Sequence, residues 1–109
     1  MTKISKSKAY DLEERSYSFA KRCRELVKEL PKTIQNIEDG KQLIRSSGSQ
    51  AANYIEANEA LSKKDFCFRI KIWRKESKES KLWLRLVGIG SNNSLEVERN
   101  GLLEEALEL

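Results

Sequence analysis

Residues 63–87, KKDFCFRIKIWRKESKESKLWLRLV, decide the fold. Phe66, Ile70, Trp73, Ser77, Ser80, Leu84 and Val87 recur in steps of three and four, which places them on one stripe of an α-helix. No Gly or Pro interrupts the run, and Lys, Arg, Glu and Leu are good helix formers. Nine of the 21 Lys and Arg residues fall here against only Asp65, Glu76 and Glu79, a local balance of +6. One helix therefore supplies both a core stripe and the main charged face.

The same spacing extends in both directions. Upstream, Asp11 can cap a first helix whose stripe is Leu12, Ser16, Phe19, Cys23, Leu26 and Leu30, ended by Pro31. A second helix is predicted from about Thr33 to Ala60. Its core stripe is expected to be Ile34, Ile37, Lys41 (or Gly40), Ile44, Gly48, Ala51, Ile55 and Asn58. Asp39-Gly40 can mark a turn, but the spacing continues through it. The small residues of SSGSQAA, 46–52, suit close helix approach. A phosphate-cradling loop would need a preceding strand and a Gly-Lys-Ser/Thr ending, both missing. Downstream, Ser62 can cap the third helix, Gly88-Ile89-Gly90 breaks it, and Ser94 can cap a fourth carrying Leu95, Arg99, Leu102, Ala106 and Leu109.

This pattern predicts an all-α, antiparallel up-down-up-down four-helix bundle. It forms one domain over residues 1–109, with helices at about 11–30, 33–60, 63–87 and 95–109 and a frayed basic tail at 1–9. The length suits a single domain, and five Gly with one Pro among 109 residues favour helix over sheet.

The net charge of +4 is unevenly placed: residues 1–10 carry +3, 63–88 carry +6, and 95–109 carry −4. Such polarity fits either an anionic partner for the third helix or attraction between the third and fourth. Two cysteines make no disulfide framework, and Cys23 falls on a core position. No apolar run approaches the ~20 residues that span a bilayer, and MTKISKSK leads into no apolar stretch. A cytoplasmic protein is the simplest expectation.

On the third helix, Lys64, Lys71, Arg74, Lys75, Lys78, Lys81 and Arg85 line one flank as a cationic ridge roughly 30 Å long. It suits a nucleic-acid backbone, or it is a solvated face neutralised by the acidic fourth helix. Tyr10, Tyr17, Tyr54 and the tryptophans are not interleaved with it as base-stacking platforms would be. The opposite flank, with Ile72, Trp83 and Leu86, is expected to form an oligomer interface, because exposed Trp and Leu are sticky. A wide core stripe is the other reading. Asn53, Glu56, Glu76 and Glu79 are expected to form a structural polar cluster. Carboxylates on bundle helices can hold metals, but the chain has no His for a Glu-x-x-His element or for a nucleophile's base. Neither a cofactor nor a metal is expected, and no catalytic residues are assigned.

The segment from Leu43 to Leu86 resembles a bacterial family of small four-helix bundle proteins encoded within intervening sequences of large-subunit ribosomal RNA genes. The family is related to the accessory variability proteins of diversity-generating retroelements. The matching residues are Ser46, Ser49, Ala51, Ala52, Asn53, Glu56 and Ala57, then Ser62, Asp65, Phe66, Lys75, Glu76, Glu79, Trp83 and Leu84. Trp73 stands where relatives usually carry a small residue. The resemblance implies an antiparallel bundle assembled into a homo-oligomeric ring, typically a pentamer, without catalytic activity. It also implies binding to RNA or DNA, and for the retroelement relatives to a reverse transcriptase. A purely protein-binding scaffold is the competing expectation.

Overall fold

The computed structural model describes residues 6–108 and the side chains of residues 11–106. Four helices follow in order: α1 (Lys6–Glu29), α2 (Ile34–Asn58), α3 (Lys63–Leu86) and α4 (Asn93–Glu108). α1 starts ahead of Asp11, so residues 6–9 of the expected frayed tail are helical. Lys6, Lys8 and Ala9 favour helix, and no Gly or Pro stops them. The rest of that tail, residues 1–5, lies outside the described residues. Thr33 Oγ1 accepts from the amide of Asn36 at 3.1 Å and Ser62 Oγ from that of Asp65 at 3.1 Å, so both expected caps form. The fourth cap is Asn92 rather than Ser94. Its Oδ1 accepts from the amide of Leu95 at 3.1 Å, and Asn caps at least as well as Ser. Gly90, at φ 66°, provides the left-handed turn between α3 and α4.

Contacts between helices run in opposite numerical order, which makes each neighbouring pair antiparallel. Arg15 meets Glu105 and Arg22 meets Glu98 between α1 and α4. Arg45 meets Glu76 and Asn53 meets Arg69 between α2 and α3. Ser77 reaches Ala106, and Val87 reaches Arg99, across the α3–α4 pair. Phe19, Cys23, Leu26, Leu30, Leu43, Leu84, Leu102 and Ala106 fill the centre. Burial pushes the Cys23 thiol from an ordinary 9.0 up to about 12, against smaller opposing effects of Ser47 and two arginines.

On α1 and α3 the predicted stripes face inward. On α2 the prediction holds at Gly40, the alternative to Lys41, and fails elsewhere. Ile34, Ile37 and Ile55 are 74%, 45% and 47% exposed, Lys41 is exposed, and Ile44, Gly48, Ala51 and Asn58 are half-buried. The buried face is instead Asn36, Gly40, Leu43, Ser46, Ser47, Gln50, Tyr54 and Ala57. Interhelical distance explains the choice. A Cβ on Gly40 would stand 2.8 Å from Val27 Cγ1, and Ser46 Oγ lies 2.8 Å from Ser80 Oγ. A branched Ile has no room at either position.

Candidate nucleic-acid interface

α3 divides by angle into three sectors. Its core sector holds Phe66, Trp73, Ser77, Ser80 and Leu84, with the Trp73 indole donating to Ser16 Oγ at 3.3 Å. The solvent sector carries Lys64, Lys71, Arg74, Lys75, Lys78 and Arg85, all exposed. Lys71, Arg74, Lys75 and Lys78 are brought together around one shallow depression of about 420 Å³, which Glu79 and Leu82 complete. Lys64 and Arg85 lie beyond its two ends. Lys81 is half-buried on the edge of the ridge. Lys75 lies 4.0 Å from Glu79, one turn on. No ion pair engages Lys64, Lys71, Arg74, Lys78 or Arg85 among the described residues.

Two carboxylates of the acidic α4 turn to α1. Glu105 takes both a 3.0 Å and a 3.2 Å hydrogen bond from the Arg15 guanidinium, and Glu98 takes one of 3.0 Å from Arg22. The negative helix is thus tied to α1, and the positive ridge of α3 stays open. Two apolar residues on that face were missed in the sequence reading: Leu82, and Phe68, which is 55% exposed with the Arg69 guanidinium 5.6 Å from its ring centroid. Spacing could have found them, since Phe68 is four residues from Lys64 and three from Lys71, and Leu82 is four from Lys78.

The third sector faces α2 and is a polar seam. Glu76, buried, accepts from the two terminal guanidinium nitrogens of Arg45 at 3.4 Å and from Ser49 Oγ at 3.2 Å. Arg45 also donates to Glu79 at 2.6 Å, and these carboxylates, Glu76 foremost, hold its guanidinium more firmly charged than usual. Asn53 donates to Ser49 and accepts from Arg69 at 3.4 Å. Asn53, Glu76 and Glu79 therefore converge through Arg45 and Ser49, which spacing within α3 alone could not reveal. Glu56 is exposed and stands apart.

The expected interface of Ile72, Trp83 and Leu86 is not one exposed patch. Trp83 packs against the chain's own core, and Ile72 is half-buried between Arg69 and Glu76, both turned to α2. Leu86 alone of the three is exposed. The flank is taken up by α2 because the small inner face of α2 draws the two helices together. Among the described residues, no group of three or more Cys, Asp or Glu residues could hold a metal ion, and no helix is long and apolar enough to cross a membrane.

Fold and surface together define a small helical bundle whose chemistry lies in its charge distribution. The chain belongs to the 23S rRNA-intervening sequence protein family, whose model matches residues 8–104. A crystal structure of a protein of unknown function from the S23 ribosomal protein family, from Bacteroides thetaiotaomicron, is similar to it at 26% identity and a TM-score of 0.66. The match covers 92% of this chain and 95% of that one. No protein with a curated description matches.

Proposed function

We propose that the chain is a non-catalytic, self-associating bundle whose α3 ridge binds the phosphate backbone of RNA or DNA. The observation that carries this reading is the pairing of α4 carboxylates with Arg15 and Arg22 of α1, which leaves the α3 cations available. Membership in a family named for ribosomal RNA intervening sequences supports it. Recognition is by charge and shape: the ridge offers backbone contacts and only Phe68 as an exposed ring.

Binding is tested by fluorescence anisotropy on labelled RNA and DNA across a salt series. If Lys64, Lys71, Arg74, Lys78 and Arg85 each meet one phosphate, log K falls by about 3.5 (single strand) to 4.5 (duplex DNA) per log unit of salt. Changing Lys71, Lys78 and Arg85 to Glu lowers that slope by about 2 to 3. Wild type that binds neither polymer at low salt refutes the reading. The scaffold alternative would then rest on the exposed apolar face of α2.

A further inference from the structure

We propose that the interior of the bundle, at the level of Gln50 and Tyr54, is a binding site for a small cluster of ordered waters. The proposal concerns the inside of one copy and depends neither on the α3 ridge nor on self-association. Gln50 is 0% exposed and Tyr54 1% exposed. Among the described residues, neither polar atom of the Gln50 amide has a hydrogen-bond partner, and nor does the Tyr54 hydroxyl. Buried polar groups in folded proteins are paired with protein or with ordered water, because an unpaired amide in a dry interior is costly.

Gln50 and Tyr54 lie one turn apart on the inner face of α2, and the contacts on either side fix what Gln50 meets. One turn before it, Ser46 touches Ser80 of α3 at 2.8 Å, and Ser47 faces Cys23 of α1. At the turn after it, the Tyr54 ring centroid lies 5.5 Å from that of Trp73, whose indole donates to Ser16 of α1 at 3.3 Å. Gln50 therefore enters the core between those two levels, where Ser16 and Ser77 are buried. On α2 and α3 the apolar cluster, Leu43, Leu84 and Val87, lies wholly towards the Pro31 and Gly88 turns. The Gln50 level is where apolar packing gives way to small hydroxyls, which keep side-chain volume low, as a hydrated site needs.

Hydrogen-bonding capacity identifies the occupant. The Gln50 amide brings two donors and an oxygen that accepts, and the Tyr54 hydroxyl both donates and accepts. Burial, and then the charge of Glu13, raise the Tyr54 phenol above its ordinary range, so it keeps its proton. The neighbouring serines cannot meet both demands. Ser46 and Ser47 donate to the carbonyls of Leu43 and Ile44 at 3.4 and 3.3 Å, and Ser77 to that of Ala106 at 3.3 Å. Those bonds leave lone pairs for the Gln50 nitrogen and spend the protons its oxygen requires. An ion would answer one sign of demand only, and no side chain at this level carries a charge to balance it. Water is neutral and meets both. At ~3 hydrogen bonds per buried water, about two waters satisfy Gln50 and Tyr54 together.

The test is oxygen magnetic relaxation dispersion of the solvent with the full chain, which registers waters held longer than the protein takes to tumble. Wild type should hold about two such waters at this level. Gln50→Met, close in volume but without polar ends, should lower the dispersion amplitude by about half or more. Tyr54→Phe keeps the ring against Trp73, removes only the hydroxyl, and should lower the amplitude by a smaller step. Helical circular dichroism checks that both variants are folded. Should Gln50→Met fail to fold, wild type and Tyr54→Phe decide. Stability distinguishes a dry Gln50. Its replacement by Met would then relieve an unpaired buried amide and raise Tm by several degrees, whereas a hydrated Gln50 predicts no rise. A wild type without long-lived water, an amplitude equal in wild type and the folded variants, or a rise in Tm for Gln50→Met overturns the proposal.

Discussion

Asn36→Ala probes the join between two turns that are far apart in sequence. The Asn36 amide donates to the carbonyls of Pro31 at 3.0 Å and Gly88 at 2.7 Å, and its oxygen accepts from the Gly88 amide at 2.8 Å. The side chain is 5% exposed, so these three bonds are made largely out of water. At a net ~1 kcal/mol each, their loss costs about 3 kcal/mol. Pro31 and Gly88 are themselves exposed and regain some water contacts, which brings the expected cost to about 2–3 kcal/mol. For a domain near 100 residues that lowers Tm by roughly 10–15 °C. Urea denaturation followed by circular dichroism reads it as a lower midpoint with unchanged slope. Asn36→Asp separates hydrogen bonding from volume. It keeps the acceptor for Gly88 but turns a second oxygen onto two carbonyls, so it should cost more than Ala at neutral pH and less as the pH falls. A loss below ~0.5 kcal/mol for Asn36→Ala, the level of an ordinary surface change, would refute the account.

Gly40→Ala should destabilise, since the ~1 kcal/mol gain in helix propensity is outweighed by an overpacking cost of about 1–3 kcal/mol against Val27. In a Val27→Ala background the same change should become stabilising, and an additive double-mutant cycle would contradict it. A thiol reagent should label the exposed Cys67 in the native protein and reach Cys23 only on unfolding; two rapid equivalents would contradict the buried site. The raised thiol of Cys23 also sets a pH limit. The unfolded thiol ionises first, so this group's contribution is whole below about pH 9 and is lost as the pH rises towards about 12. The decline is up to about 1.4 kcal/mol per pH unit, and Cys23→Ala should remove that part of the slope in alkaline denaturation.

The helices could be read from the sequence because their signals are local. Thr33 and Ser62 cap, Pro31 and Gly88–Gly90 interrupt, and on α1 and α3 the most regular apolar stripe is the one that faces inward. α2 misleads because it carries two candidate faces, and periodicity favours the greasier one. Its inner face is chosen by space: Gly40, Ser46 and Ser47 let α1 and α3 come close, and Leu43 and Tyr54 fill what remains. Hydropathy contains no measure of interhelical distance, so Ile34, Ile37 and Ile55 were assigned inward. The ridge was legible because charge needs only exposure and angle. The Arg45–Glu76–Ser49 seam was not, since it depends on the register of α2 against α3. Nor was the choice of α1 over α3 as the partner for Glu98 and Glu105 of α4.

Asn36 has a further consequence for motion. It ties the α1–α2 turn to the α3–α4 turn at one end of the bundle, where Arg99 also reaches Val87. The other end has a single turn, the α2–α3 connection at residues 59–62, with Asn58 bonded to Glu13 and Arg15 paired with Glu105 nearby. The molecule is therefore hinged like a clothes-peg, and local opening should begin at the loose end and fade towards the tied one. The ridge runs the whole way, with Lys64 at the loose end and Arg85 at the tied one. A polyanion gripping its full length would clamp the peg, and amide protons near Lys64 should slow their exchange more than those near Arg85.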